Sequence, residues 1–176
     1  MKTMKNLKLF GIIMMLVMGM SFTSCSDDDS NGVSPETINE LLEGEWFLVK
    51  AEDSEGTSIS WDFENQTKYG KDANGKEQSP VKLYIEKYSD SESKFLATNY
   101  TYSNYSGWEQ SSTQTFNLNG NILSEESGTE SGISYHSKTY ISSLTESTLV
   151  VVTETSASYQ GASYSVKMIQ SYRRND

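Results

Sequence analysis

From Glu45 to Tyr172 the chain alternates apolar and polar residues with a period of two, and the pattern restarts about every ten residues. Nothing else in the sequence constrains the fold as strongly. Successive side chains of a β-strand point to opposite faces, so each restart predicts a strand with one face on a core. Strands are expected over 45–52, 59–63, 81–88, 94–102 and 110–118, from Ile122, and over 133–141, 148–154 and 163–172. Val81, Leu83 and Ile85 alternate with Lys82, Tyr84 and Glu86; Leu96, Tyr100 and Tyr102 share a face, and so do Phe116 and Leu118. Ile133, Tyr135 and Ile141 are in phase, as are Tyr164, Val166, Met168 and Tyr172, whereas the run from Leu149 to Val152 predicts a strand apolar on both faces. Residues 64–80 are polar and carry Gly70, Asn74-Gly75 and Pro80, which predicts a long loop or loose hairpin. Asn119-Gly120 predicts a two-residue type I′ hairpin turn, with positive φ at both positions. Eight or nine antiparallel strands at such regular spacing fit a sandwich or an up-and-down barrel.

One helix precedes them. Ser34 is placed to cap it, Pro35 to open its first turn, Ile38, Leu41 and Leu42 to form its apolar face, and Gly44 to end it. Further upstream, Lys2, Lys5 and Lys8 are followed by a nearly uninterrupted apolar run from Leu9 to Met20, then by small and polar residues and by Cys25, the one cysteine. That order is the layout of a secretory leader. A run of about 12 apolar residues is too short for a membrane-spanning helix, which needs roughly 20. Phe22-Thr23-Ser24-Cys25 resembles a bacterial lipobox, which implies lipid attachment at Cys25 and cleavage before it. Asp27, Asp28 and Asp29 resemble the acidic export signal of Gram-negative surface lipoproteins, which implies an outer-membrane location facing the exterior. The expected organisation is a leader over 1–24, an acidic tether over 25–33 and one β-domain over 34–176.

The mature part has 152 residues, enough for one domain. Loss of the three leader lysines leaves 11 basic residues against 24 acidic ones, a net charge of about −13. Such a surface repels phosphate backbones, so a nucleic-acid partner is not expected. The acidic cluster beside the anchor does not act as a second, polybasic membrane contact. Ser and Thr number 40 in this part, beside 11 tyrosines, which reads as solvated sheet faces rather than disorder.

Gly44-Glu45-Trp46, where the helix meets the first strand, resembles the G-x-W signature of lipocalins. With Leu41-Leu42, the 116–120 hairpin segment and the strand count, residues 40–174 resemble the lipocalin-like domains of Gram-negative lipoproteins. The resemblance implies an all-β, antiparallel up-and-down barrel of about eight strands with one short N-terminal helix. It also implies a barrel floor built from Gly44 and Trp46, with Arg173 or Arg174, just after the last strand, packed across the indole.

Catalytic and metal chemistry find little support. His136 is the one histidine, lies out of phase with the apolar face of its strand, and accompanies no nucleophile-elbow motif. Zinc needs three or four His, Cys or carboxylate ligands. Asp72-Ala73-Asn74-Gly75-Lys76-Glu77 has glycine fourth where an EF-hand loop needs it sixth, so a turn is expected there. Among Glu45, Glu86, Glu109, Glu125, Glu126 and Glu154, nothing in the spacing sets two carboxylates opposite one another. Tyr100, Tyr102, Tyr105 and Trp108 form an aromatic run suited to stacking on a sugar or lining a ligand entrance, or to packing across strands; Tyr84, Tyr88 and Tyr135 share that ambiguity. The expectation is a binding protein without catalysis, metal or cofactor, held to the membrane by lipid and taking a small apolar or amphipathic ligand in its barrel. The alternative is a filled barrel that binds a glycan or a partner protein through its exposed aromatics.

Overall fold

A computed structural model describes residues 35–88, 93–130 and 132–174. The leader, Cys25, the acidic residues Asp27, Asp28 and Asp29 and the Ser34 cap therefore lie outside the described residues. A seven-residue helix, α1 (Pro35–Leu41), comes first. Eleven antiparallel strands follow: β1 (Gly44–Asp53), β2 (Ser58–Ser60), β3 (Gly70–Lys71), β4 (Glu77–Gln78), β5 (Val81–Lys87), β6 (Lys94–Ser103), β7 (Gly107–Asn117), β8 (Ile122–Glu130), β9 (Ile133–Leu144), β10 (Thr148–Tyr159) and β11 (Ala162–Arg173).

Eight of them form an up-and-down meander. β5 to β7 and β8 to β11 pair in sequence, and β1 bridges the two runs by pairing β5 on one edge and β11 on the other. This is the expected antiparallel, barrel-like fold, with two differences. First, β7 and β8 share no ladder and meet only through the Asn119–Ile122 bridge at their hairpin, so the barrel has a seam there. Second, residues 58–78 are not a plain loop. Past a bulge at Val49, β1 turns the edge that carried β5 toward β2, and the two-residue strands β3 and β4 extend that side. The bulge adds local twist, and the freed backbone of β1 finds a second partner.

The core fills the end of the barrel nearest α1. Ile38 and Leu42 from the helix region meet Trp46, Leu48, Ile85, Phe95, Phe116, Leu149 and Tyr172, and all of them are buried. Trp46 is fully buried, and its indole N–H donates to the Leu42 carbonyl at 2.9 Å. Phe95 and Phe116, directly paired across β6 and β7, stack with centroids 5.5 Å apart. On β6 the core face is thus carried by Phe95 and Ala97, 0% and 3% exposed, while Leu96, Tyr100 and Tyr102 lie on the outer face. Strand alternation leaves open which face turns inward. The neighbours settle it, because Ile85 and Val81 sit in register with Ala97 and Thr101.

The 119–122 hairpin also departs from expectation. Gly120 has φ +60°, but Asn119 has ordinary φ, and reciprocal hydrogen bonds join Asn119 to Ile122. Gly120 and Asn121 therefore form the centre of the turn, one residue later than the dipeptide suggested. Tertiary tethering accounts for the shift. Asn121 donates from Nδ2 to the Ile141 carbonyl at 2.9 Å and accepts from the Ile141 N–H at 2.8 Å. Asp72-Glu77 is a tight hairpin turn, with Asp72 Oδ1 accepting from the Asn74 and Lys76 N–H groups.

Candidate functional site

The floor is built where the start of β1 meets the end of β11. Gly44 opens β1 with φ +130°, and a Cβ there would lie 3.4 Å from Arg174 Nη1. Arg174 donates from Nη1 to the Leu41 carbonyl at 3.0 Å and the Glu43 carbonyl at 2.8 Å, and from Nε to the Glu146 carbonyl. The first of these satisfies a carbonyl at the C-terminus of α1 that has no partner within the helix. The guanidinium Cζ also sits 4.5 Å from the Trp46 ring centroid. Arg173 takes a different position. It projects to the outer face in register with Phe47, and its Cζ lies 4.2 Å from the Phe63 ring. Strand alternation separates the two, since neighbouring residues leave opposite faces.

A row of cross-strand neighbours runs over the outer face: Thr148 on β10, Arg173 on β11, Phe47 on β1, Lys82 on β5, Tyr100 on β6 and Gln110 on β7. Trp108 joins it, packing edge-on against Phe47 at 6.1 Å and Tyr102 at 5.5 Å. Lys82 Nζ lies 4.9 Å from the Trp108 centroid and 5.5 Å from the Tyr100 centroid, and it pairs with Glu45 at 2.8 Å. Tyr100, Tyr102 and Trp108 are therefore brought together, each partly exposed, on the outside of the barrel rather than around its mouth. Tyr105 stands apart at the β6–β7 turn, fully exposed.

Several residues of this face were not singled out in the sequence: Phe47, Phe63, Lys82 and Tyr69, whose hydroxyl approaches the Tyr102 carbonyl at 3.5 Å. The one available signal was the unbroken run Trp46-Phe47-Leu48, which requires cover on both faces of β1. Beside the row lies a surface depression of about 540 Å³ lined by Glu45, Phe47, Gln66, Glu146, Arg173 and Arg174.

Farther along the outer face of β10 and β11 lies a second depression, about 580 Å³, over Tyr140, Val150, Val152 and Ile169. Glu154 accepts there from Lys167 at 2.9 Å and from the Tyr140 hydroxyl at 3.2 Å. The Lys167 hydrogen bond is the main cause holding the Glu154 carboxyl below its ordinary value, and the same bond raises Lys167. On the inner face the far half of the barrel is lined by hydroxyls. Thr139 pairs with Thr153 at 3.1 Å and Ser137 with Thr155 at 3.0 Å.

His136 faces out, bonded through Nδ1 to Ser127 at 2.8 Å, with Nε2 3.7 Å from Glu125. Glu125 and Glu154 lie on the outer face and Glu126 and Glu109 on the inner one, which sends the adjacent pair Glu125-Glu126 to opposite sides of the sheet. Thr98 is the one buried polar residue among the described residues, and no group of three metal-ligating side chains occurs among them. Tyr172 is a core residue whose phenol burial pushes far up in pKa, so it stays neutral. Tyr88 is held against Lys94, whose Nζ lies 4.3 Å from its ring, and Tyr84 lies exposed on the outer face. Tyr135 faces inward and covers Gly128, where a Cβ would come within 2.7 Å of its hydroxyl.

No family model and no curated protein matches the chain. Solved structures with similar folds include the S-type phycobiliprotein lyase CPES from Guillardia theta, at TM-score 0.44 and 7% identity over 82% of this chain and 94% of that one. The bovine lipocalin allergen Bos d 2 matches at TM-score 0.38 and 15% identity, over 78% and 75%. EF1p2_mFAP2b bound to DFHBI matches at TM-score 0.38 and 9% identity, over 77% and 95%.

Proposed function

We propose that this protein is a non-catalytic binding module, held by lipid on Cys25 at the outer surface of the outer membrane, that makes its contacts through the outside of its barrel. The observation that carries this reading is the division of its aromatics. Trp46, Phe95 and Phe116 fill the near half of the barrel, while Tyr100, Tyr102 and Trp108 gather outside, with Tyr105 free at the tip of the same hairpin. A near half filled by side chains leaves no place for an apolar ligand there. Partly exposed tyrosine and tryptophan beside a lysine provide ring faces and hydrogen-bond donors for a sugar. A glycan is therefore the ligand class this surface suits.

A second reading rests on the hydroxyl-lined far half of the interior. The Thr139–Thr153 and Ser137–Thr155 pairs suit a small amphipathic ligand more than a purely apolar one. Native mass spectrometry on the chain from Ser26, before and after denaturing extraction, separates the two. A bare polypeptide that binds on a glycan array, and loses that binding in Tyr105→Ala and Trp108→Ala, is the expected result. A co-purified small molecule that leaves on extraction would support the interior site instead. A bare chain with no glycan binding would overturn the outer-face reading.

A further inference from the structure

The seam leaves two long strand edges without partners. β8 is laddered to β9 along one side only, and β7 to β6 along one side only. Each therefore presents every second backbone N–H and C=O to the seam without a strand to receive it. Proteins commonly shield such edges by shortness, proline or lysine. The sheet's other end is short: β4 has two residues. β8 is neither short nor guarded by proline or lysine, and its guards are the inward-pointing carboxylates of Glu126 and Glu130. It has nine residues with neither proline nor lysine, and its ladder to β9 runs without a bulge from Ser124 to Glu130.

The charges along this edge are one-sided. Glu125 has His136 at 3.7 Å and Lys138 directly across on β9. Glu126 and Glu130 face the barrel interior opposite Ser137 and Ile133, and neither makes an ion pair among the described residues. Across the seam, Glu109 on β7 is likewise inward and unpaired among the described residues. A second copy pairing β8 against β8 in the antiparallel register that sets Glu126 against Glu130 brings like charges together, which disfavours that pairing.

We propose that the β8 edge is a docking site for an extended, basic segment of a partner protein, which adds as a strand alongside Ser124–Glu130 and covers the seam. Main-chain hydrogen bonds supply the attachment, as in other strand additions. Lysine or arginine at every second position of the segment meets Glu126 and Glu130.

The test adds a ten-residue peptide of alternating threonine and lysine to the full chain and follows binding and amide exchange. Saturable binding with slowed exchange over residues 124–130 is expected, weakened several-fold in Glu126→Gln/Glu130→Gln. Both carboxylates stand at a partly or fully exposed edge, so an unchanged melting curve of that variant excludes unfolding as the cause. A control peptide of equal charge interrupted by prolines should not bind. Equal binding of that control would reduce the effect to charge attraction and overturn the proposal. No protection of 124–130 would overturn it too, as would a concentration-dependent dimer that protects the same residues without peptide.

Discussion

Arg174 is expected to be the residue that ties the ends of the fold together, and Arg173 to be dispensable. Replacing Arg174 with alanine removes three hydrogen bonds from a charged donor to the Leu41, Glu43 and Glu146 carbonyls. A hydrogen bond to a charged group contributes roughly 1.5–3 kcal/mol in favourable cases. The site is partly exposed, and water re-satisfies part of what is lost, so the three together should account for about 2 kcal/mol rather than their sum. Loss of the cation over the Trp46 ring adds about 0.5–1 kcal/mol. A total near 3 kcal/mol should lower Tm by about 6–12 °C in a chain of this size. Arg174→Lys keeps the charge but not the planar fork, so it should fall between wild type and alanine. Arg173→Ala exposes one face of Phe63 and should change stability by less than about 0.5 kcal/mol. Urea melts of the three variants, read by tryptophan fluorescence, provide the comparison. If Arg173→Ala cost as much as Arg174→Ala, or if neither moved the midpoint, the assignment of Arg174 to the floor would fail.

Trp46→Ala should destabilise by about 3–5 kcal/mol, because a fully buried indole leaves a cavity between α1 and the sheet; an unchanged melting curve would refute that packing. Cys25→Ser should abolish palmitate labelling and leave the leader uncut, and labelling at the wild-type level would refute the anchor. Glu154 is held below the ordinary carboxyl value of 4.5, so its pair with Lys167 adds stability above that pH and loses it as pH falls below. Because Lys167 is raised in turn, the pair also weakens in strong alkali as pH climbs past 10.5. Glu154→Gln should therefore cost at most about 1 kcal/mol at pH 7, since the pair is half exposed, and progressively less as pH falls below 4.5. A difference that grew toward low pH would contradict that sign.

The strand-by-strand legibility of the chain follows from burial on one face. β5 and β11 carry the alternation expected of them, and their observed bounds lie within a residue of those read from it, whereas β10, read from its unbroken apolar run, extends five residues past the expected end. The outer aromatic row was only partly legible, because Tyr100, Tyr102 and Trp108 are close in sequence while Phe47, Phe63, Lys82 and Arg173 are not. Trp108 fell between the strands expected over 94–102 and 110–118, yet β7 begins at Gly107.

By itself, then, the sequence determined the all-β class, the short leading helix and the meander of hairpins, since these rest on local periodicity and turn chemistry. It also placed a glycine and a tryptophan at the first strand and two arginines at the last, where the two could meet. Tertiary structure alone decided which arginine covers Trp46, which face of β6 turns inward, where the 119–122 turn is centred and that the barrel opens between β7 and β8. Each of these depends on contacts between residues far apart in the chain. Alternation with a period of two specifies two faces without saying which neighbour each will find.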